Sequence, residues 1–99
     1  MKKISFLPAA QNELDDAFLW YEDQAVGLGY EFLDELDQSL RLIVNYPGLQ
    51  PPIDNNVRRC LVNRFPYGIF YGVADNAIIV VAVAHLKRKP AYWKNRLKV

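Results

Sequence analysis

The chain has little of what several common chemistries require. Its 99 residues include one cysteine, Cys60, and one histidine, His85. A lone cysteine excludes an intramolecular disulfide and suits a reducing compartment. One Cys and one His cannot build a zinc constellation, and no Ser/His/Asp set can be argued from a single histidine. No metal or cofactor is therefore expected. The longest apolar run, Ala77 to Ala84, is eight residues, too short to cross a bilayer as a helix. The apolar stretch near the N-terminus stops after Leu7, well short of a signal-peptide core, so the expected location is the cytoplasm. Internal repeats, low-complexity segments and linkers are all missing. Gly27-Leu28-Gly29 has neither a preceding strand nor a following Lys-Ser/Thr, which makes it a turn rather than a nucleotide loop.

What is present is ordinary globular material, 52% hydrophobic and 23% charged, enough for one domain spanning 1–99 with a single core. The net charge of +1 conceals a split. Residues 1–46 hold three basic and nine acidic side chains, a net of −6; residues 47–99 hold nine basic and two acidic, a net of +7. A second half this basic points to a polyanionic or acidic partner. Its cations interleave with Tyr67, Tyr71, His85, Tyr92 and Trp93, side-chain types that bind phosphate, stack on bases and move protons. The plainer reading is a solvated basic face that balances an acidic one.

The hydrophobic period divides the chain. Lys3 to Leu7 reads as a first strand, and Pro8 suits the first turn of a helix. Ala10, Leu14, Ala17, Phe18 and Tyr21 then follow one helix face, and Leu28, Phe32, Leu36, Leu40 and Ile43 follow another. Asn45-Tyr46-Pro47-Gly48 ends the second helix. So short a link predicts an antiparallel helical hairpin carrying nearly all the negative charge, its carboxylates spaced as a solvated face. Pro47 to Asn56 is expected to be irregular. Beyond it the period becomes two: Val57 to Arg64, Ile69 to Val73 and Ala77 to His85 read as strands, the last apolar on both faces and so interior to the sheet. Pro90 is placed to open a short C-terminal helix. The expected fold is α+β, β-α-α-β-β-β, with the hairpin on one face of a mainly antiparallel sheet.

Several pieces of sequence carry a family resemblance in consistent order over roughly residues 4–97. They are Ala10…Glu13-Leu14…Ala17…Trp20-Tyr21, then Gly27-Leu28-Gly29…Phe32-Leu33…Leu36, then Arg64-Phe65-Pro66-Tyr67-Gly68-Ile69-Phe70-Tyr71. The last is Val81-Ala82-Val83-Ala84-His85…Arg88-Lys89-Pro90-Ala91-Tyr92-Trp93…Arg96. This set resembles the RelE/ParE superfamily, toxins of type II toxin–antitoxin modules, in its plasmid-stabilisation subgroup. The resemblance implies a growth inhibitor neutralised by a cognate antitoxin in a hetero-oligomer. Some relatives cut mRNA on the ribosome; others inhibit DNA gyrase and hydrolyse nothing. Ribosome-dependent mRNA cleavage is the leading implication, with gyrase inhibition and an inactive antitoxin-binding protein as the alternatives.

Under mRNA cleavage, a 2′-OH attacks the adjacent phosphate, which requires proton transfer and positive charge on the phosphorane. The implied set is His85 for proton transfer, Arg64 with Arg88 on the phosphate, and Tyr92 as a stacking ring or phenol. Arg58, Tyr67, Tyr71, Lys87, Lys89 and Arg96 are the candidates for contact with nucleic acid or partner. Arg58 and Arg64 share strand parity but would lie about 20 Å apart, so Arg64 pairing with Arg88 beside His85 is the expected clamp. For His85 the other reading is a strand-end histidine bonded to backbone. Trp93 is expected to pin the tail to the core, and the sheet face away from the helices is the expected site for an acidic antitoxin segment.

Overall fold

The computed structural model describes residues 2–54, 56–89 and 91–97. Strand β1 (Lys3–Phe6) leads into helix α1 (Pro8–Gln24) and helix α2 (Leu28–Asn45), then strands β2 (Pro52–Asp54), β3 (Val57–Leu61), β4 (Tyr67–Ala74) and β5 (Ala77–His85). A short 3-10 turn, Lys94–Leu97, follows. The five strands form one sheet in the order β1-β5-β4-β3-β2. β1 runs parallel to β5, and every other pairing is antiparallel. The helical hairpin covers one face of this sheet, as expected. No described helix is long and apolar enough to cross a membrane.

Three details differ from the sequence expectation. The segment after α2 contains a short edge strand, β2, pairing with β3 through an irregular register. Its few ladder bonds and its proline leave no pattern that periodicity detects. β3 stops at Leu61, and Arg64 adopts φ 70° in the following turn, so the strand does not reach it. The expected short C-terminal helix is present as a 3-10 turn that begins at Lys94; Pro90, expected to open it, lies outside the described residues.

The link between the helices is held by a side chain. Glu22 accepts from the Gly27 and Gly29 backbone N–H groups at 2.8 and 2.9 Å, satisfying donors that the helix start leaves free. Gly27 sits at φ 88°, where a Cβ would be strained. At Gly29 a Cβ would lie 2.7 Å from the Phe18 carbonyl oxygen, so only glycine lets the two helices approach this closely.

One irregularity decides what the end of the sheet presents. Phe70 pairs with Ala82 and Tyr71 with Val80, which makes Val81 an extra, bulged residue in β5. Side-chain parity flips there. Ile78, Val80 and Val83 all join the helix-side core, whereas Val81 and Ala82 join a second cluster on the other face with Val57 and Trp93. After the bulge His85 stands opposite Tyr67, on the face that the helices cover.

Candidate functional site

The carboxylate of Glu13, on α1, is the hub of the described site. β1 ends at Phe6, so β5 runs on past its parallel neighbour and leaves the outward backbone groups of Val81 and Val83 without a strand. Side chains fill the gap. The Val83 N–H donates to Glu13 Oε1 at 3.1 Å, and Arg96 Nη1 donates to the Val81 carbonyl at 3.0 Å. Arg96 also grips Glu13 with both terminal nitrogens, at 2.7 and 3.1 Å. The Tyr92 hydroxyl donates to Glu13 Oε2. Arg88 stacks over the Tyr92 ring, 4.1 Å from its centroid, and its Nη1 lies 3.9 Å from Glu13.

The environment sets the protonation of this group. Burial pushes the Glu13 carboxyl upward, but the Arg96 and Tyr92 hydrogen bonds, the Val83 N–H and the Arg96 charge outweigh it and leave the pKa below the usual value. Tyr92 moves the other way: burial, and then its bond to the Glu13 carboxylate, push the phenol up to about 12. Tyr92 therefore holds its proton firmly at neutral pH.

His85 occupies the junction of two clefts. Its Nδ1 accepts the Lys87 backbone N–H at 3.0 Å, which puts the proton of the neutral ring on Nε2. Its ring meets Tyr67 edge-on at 5.4 Å. On the helix side, His85 and Arg88 face Asp16, Trp20 and Tyr67 across one cleft. On the helix-free side the same two residues border a groove with Arg59, Phe70 and Trp93. Among the described residues there is no group of three or more His, Cys, Asp or Glu side chains able to hold a metal ion.

The structure brings together only part of the expected set. His85, Arg88 and Tyr92 are neighbours. Arg64 is elsewhere: it bridges Glu31 at 2.7 Å and Glu35 at 3.4 Å on α2, so the pairing with Arg88 is not made. Arg58 donates to the Gly48 and Gln50 carbonyls and fastens the loop after α2. The face that Arg58 shares with Cys60 is the helix-covered one, so it cannot serve as an open phosphate surface. Tyr71, expected at a partner surface, is 0% exposed within the helix-side core. Arg96 is committed to Glu13. Tyr67 is half-buried against Tyr21 and Phe32 but still lines the helix-side cleft. Lys87 and Lys89 are exposed, and Trp93, 2% exposed, pins the tail.

Glu13 itself was missed, grouped with the solvated carboxylates although its side chain is only 14% exposed. A signal was available: Glu13 stands three residues after Ala10 and one before Leu14, at the margin of the buried stripe rather than opposite it. Arg59, which is not among the expected site residues, lies on the open face.

The comparisons agree with this architecture. Residues 4–90 match the family described as ParE toxin of type II toxin-antitoxin system, parDE. The chain belongs to the ParE toxin family. Among solved structures it resembles a chain of the chromosomal ParDE TA system from P. aeruginosa. The TM-score is 0.71 at 17% identity, covering 86% of this chain and 96% of that one. It also resembles a copper-bound mutant toxin from Helicobacter pylori, with TM-score 0.54, 18% identity and coverage of 86% and 94%. At such identities the likeness is one of fold. A search of curated proteins found no match. Membership of the ParE toxin family accounts for the strand, helical hairpin and antiparallel sheet in their observed order.

Proposed function

We propose that the chain is the toxin of a type II toxin–antitoxin module, that it halts growth by binding DNA gyrase without hydrolysing RNA, and that a small cognate antitoxin silences it. The observation that carries this reading is that the acid–base set is incomplete: Arg64 lies apart, and of the three neighbours only His85 and Arg88 are not committed to another side chain by a hydrogen bond among the described residues. Phosphoryl transfer needs its cations and proton donors free and convergent on one phosphate. Here Arg64 is bound to α2, and the Tyr92 hydroxyl and the Arg96 guanidinium are both spent on Glu13. A binding inhibitor requires none of them free.

The ribosome-dependent nuclease is the second reading. It is favoured by the orientation of His85, whose Nδ1 is anchored while Nε2 has no hydrogen-bond partner among the described residues, beside an Arg88 side chain that is 55% exposed.

One pair of assays separates the readings. The purified chain is expected to block supercoiling of plasmid DNA by purified gyrase and to leave mRNA intact in a translating extract. Cuts at ribosome-occupied codons with unimpaired supercoiling would overturn the gyrase reading. In that case His85→Ala should slow single-turnover cleavage by about 10²–10⁴-fold. A chain that does neither, yet binds its antitoxin, would be an inactive member of the family.

A further inference from the structure

The sheet has two edges, and they are guarded unequally. β2 is three residues long, begins with Pro52 and pairs through an irregular register, features that blunt an edge against further pairing. β1, at the other edge, has no proline, no bulge and no described neighbour on its outer side. Its bonds to β5 run through alternate residues: the Lys3 N–H donates to the Asn76 carbonyl at 3.1 Å and the Leu7 N–H to the Val80 carbonyl at 3.0 Å. The N–H and C=O groups of Ile4 and Phe6 therefore point outward, away from β5. Neither nearby lysine protects them. Lys2 Nζ donates to the Ala74 carbonyl at 2.9 Å and is drawn to the β4–β5 turn. Lys3 is exposed on the helix-free face, opposite in parity to the core-side Ile4. Beside the strand, on the helix side, Ile4, Leu40 and Val44 wall an open recess of about 370 Å³. Its rim charges, Asp37 and Arg41, neutralise one another at 2.9 Å.

We propose that this edge pairs with the same edge of a second copy, β1 antiparallel to β1 about a two-fold axis at Ser5. The inference goes beyond the toxin reading and does not depend on the toxin's target. In this register Ile4 of each copy and Phe6 of the other donate to and accept from one another, and Ser5 faces Ser5 in the close pair between them. The two sheets then continue into one, with both helical hairpins on the same side. The side chains match this register. Apolar Ile4 meets apolar Phe6 on the helix side, and the small serines meet on the other. Lys3 stands opposite Leu7, which keeps the lysines of the two copies about 13 Å apart along the strands. A shift that set Ile4 opposite Ile4 would bring them to about 7 Å, inside the screening length of about 8 Å. Charge selects the occupant as well. A recess whose rim is neutral has nothing to attract a polyanion or an acidic segment, whereas an identical copy meets it without net repulsion.

Sedimentation equilibrium of the full chain over a concentration series tests this. The wild-type chain is expected to approach twice its monomer mass as concentration rises. Ser5→Lys sets two ammonium groups face to face and is expected to weaken the dimer about fivefold or more, and Ser5→Glu likewise. An equimolar mixture of the two variants should dimerise better than either alone, a gain that misfolded protein would not give. Under mild oxidation Ser5→Cys is expected to cross-link to its copy, because residues of a close antiparallel pair lie about 4.5 Å apart between Cα atoms, within disulfide reach. Lys3→Cys, about 13 Å from its counterpart, should not cross-link, and the native Cys60 is buried. A chain that stays monomeric throughout, a dimer indifferent to Ser5→Lys, or equal cross-linking at positions 3 and 5 would each overturn the proposal. None of these readouts involves growth, gyrase or mRNA, so the dimer and the toxin reading can fail separately.

Discussion

Two tyrosines, Tyr71 in β4 and Tyr92 in the tail, lose contact with solvent on different terms. Tyr92 has exchanged water for the Glu13 carboxylate, whereas the buried Tyr71 hydroxyl has no partner among the described residues. A hydrogen bond to a charged group contributes about 1.5–3 kcal/mol net, while an unpaired buried hydroxyl is a cost of about 1–3 kcal/mol. The same substitution should therefore act with opposite signs. Tyr92→Phe is expected to lower stability by about 1–2 kcal/mol, and Tyr71→Phe to leave it unchanged or raise it by up to about 1 kcal/mol. Urea unfolding of the two variants measures both. A large loss for Tyr71→Phe would mean that its hydroxyl is satisfied by bound water. Neither environment was legible beforehand, because a tyrosine in strand or tail reads the same whether its oxygen meets an acid, water or nothing.

At the scale of elements, the tail is tied to β5 through one carboxylate from a helix, and this makes the tie sensitive to pH. The folded pKa of Glu13 is depressed, so its contribution is fully present above the unfolded value of about 4.3 and is lost as pH falls through the lower folded value. Tyr92, raised to about 12, contributes below its unfolded value of about 10 and loses that contribution between about 10 and 12. The 91–97 segment is therefore expected to be released at both extremes, with Trp93 fluorescence reporting its exposure ahead of global unfolding. Glu13→Gln should abolish the acid step, and Tyr92→Phe the alkaline one. An acid step of unchanged midpoint in Glu13→Gln would place the sensor elsewhere. Helix stripes and strand alternation made the major elements readable to within a few residues. The missing length of β1 opposite the end of β5 was not readable, because it follows from where Pro8 starts a helix and where a bulge shifts register. That shortfall is what recruits Glu13 and Arg96.

Across the whole molecule, the division of charge read from the sequence survives folding as a division between layers. The acidic half forms the helical hairpin over one sheet face, and Arg59, Lys87, Arg88 and Lys89 gather at the far end of the sheet and around its open face. The charge split was visible in the order of residues, since contiguous segments became contiguous layers. Which cations would stay free was not, because Arg64 and Arg96 found carboxylates far away in sequence and Arg58 found carbonyls of the irregular loop before β3. A protein of net charge +1 so divided has little overall attraction for an acidic partner but a strong orienting field close to its surface. Binding of the antitoxin should accordingly show a salt-sensitive association rate. Between low salt and about 0.15 M, where the screening length falls to about 8 Å, the on-rate is expected to drop about tenfold or more while the off-rate changes little. Arg59→Glu should flatten that dependence, because it inverts a charge at the approach to the groove. Stopped-flow measurement at several salt concentrations decides the matter. An on-rate indifferent to salt would mean that apolar contact alone brings the partners together, and that the opposed layers have no part in their encounter.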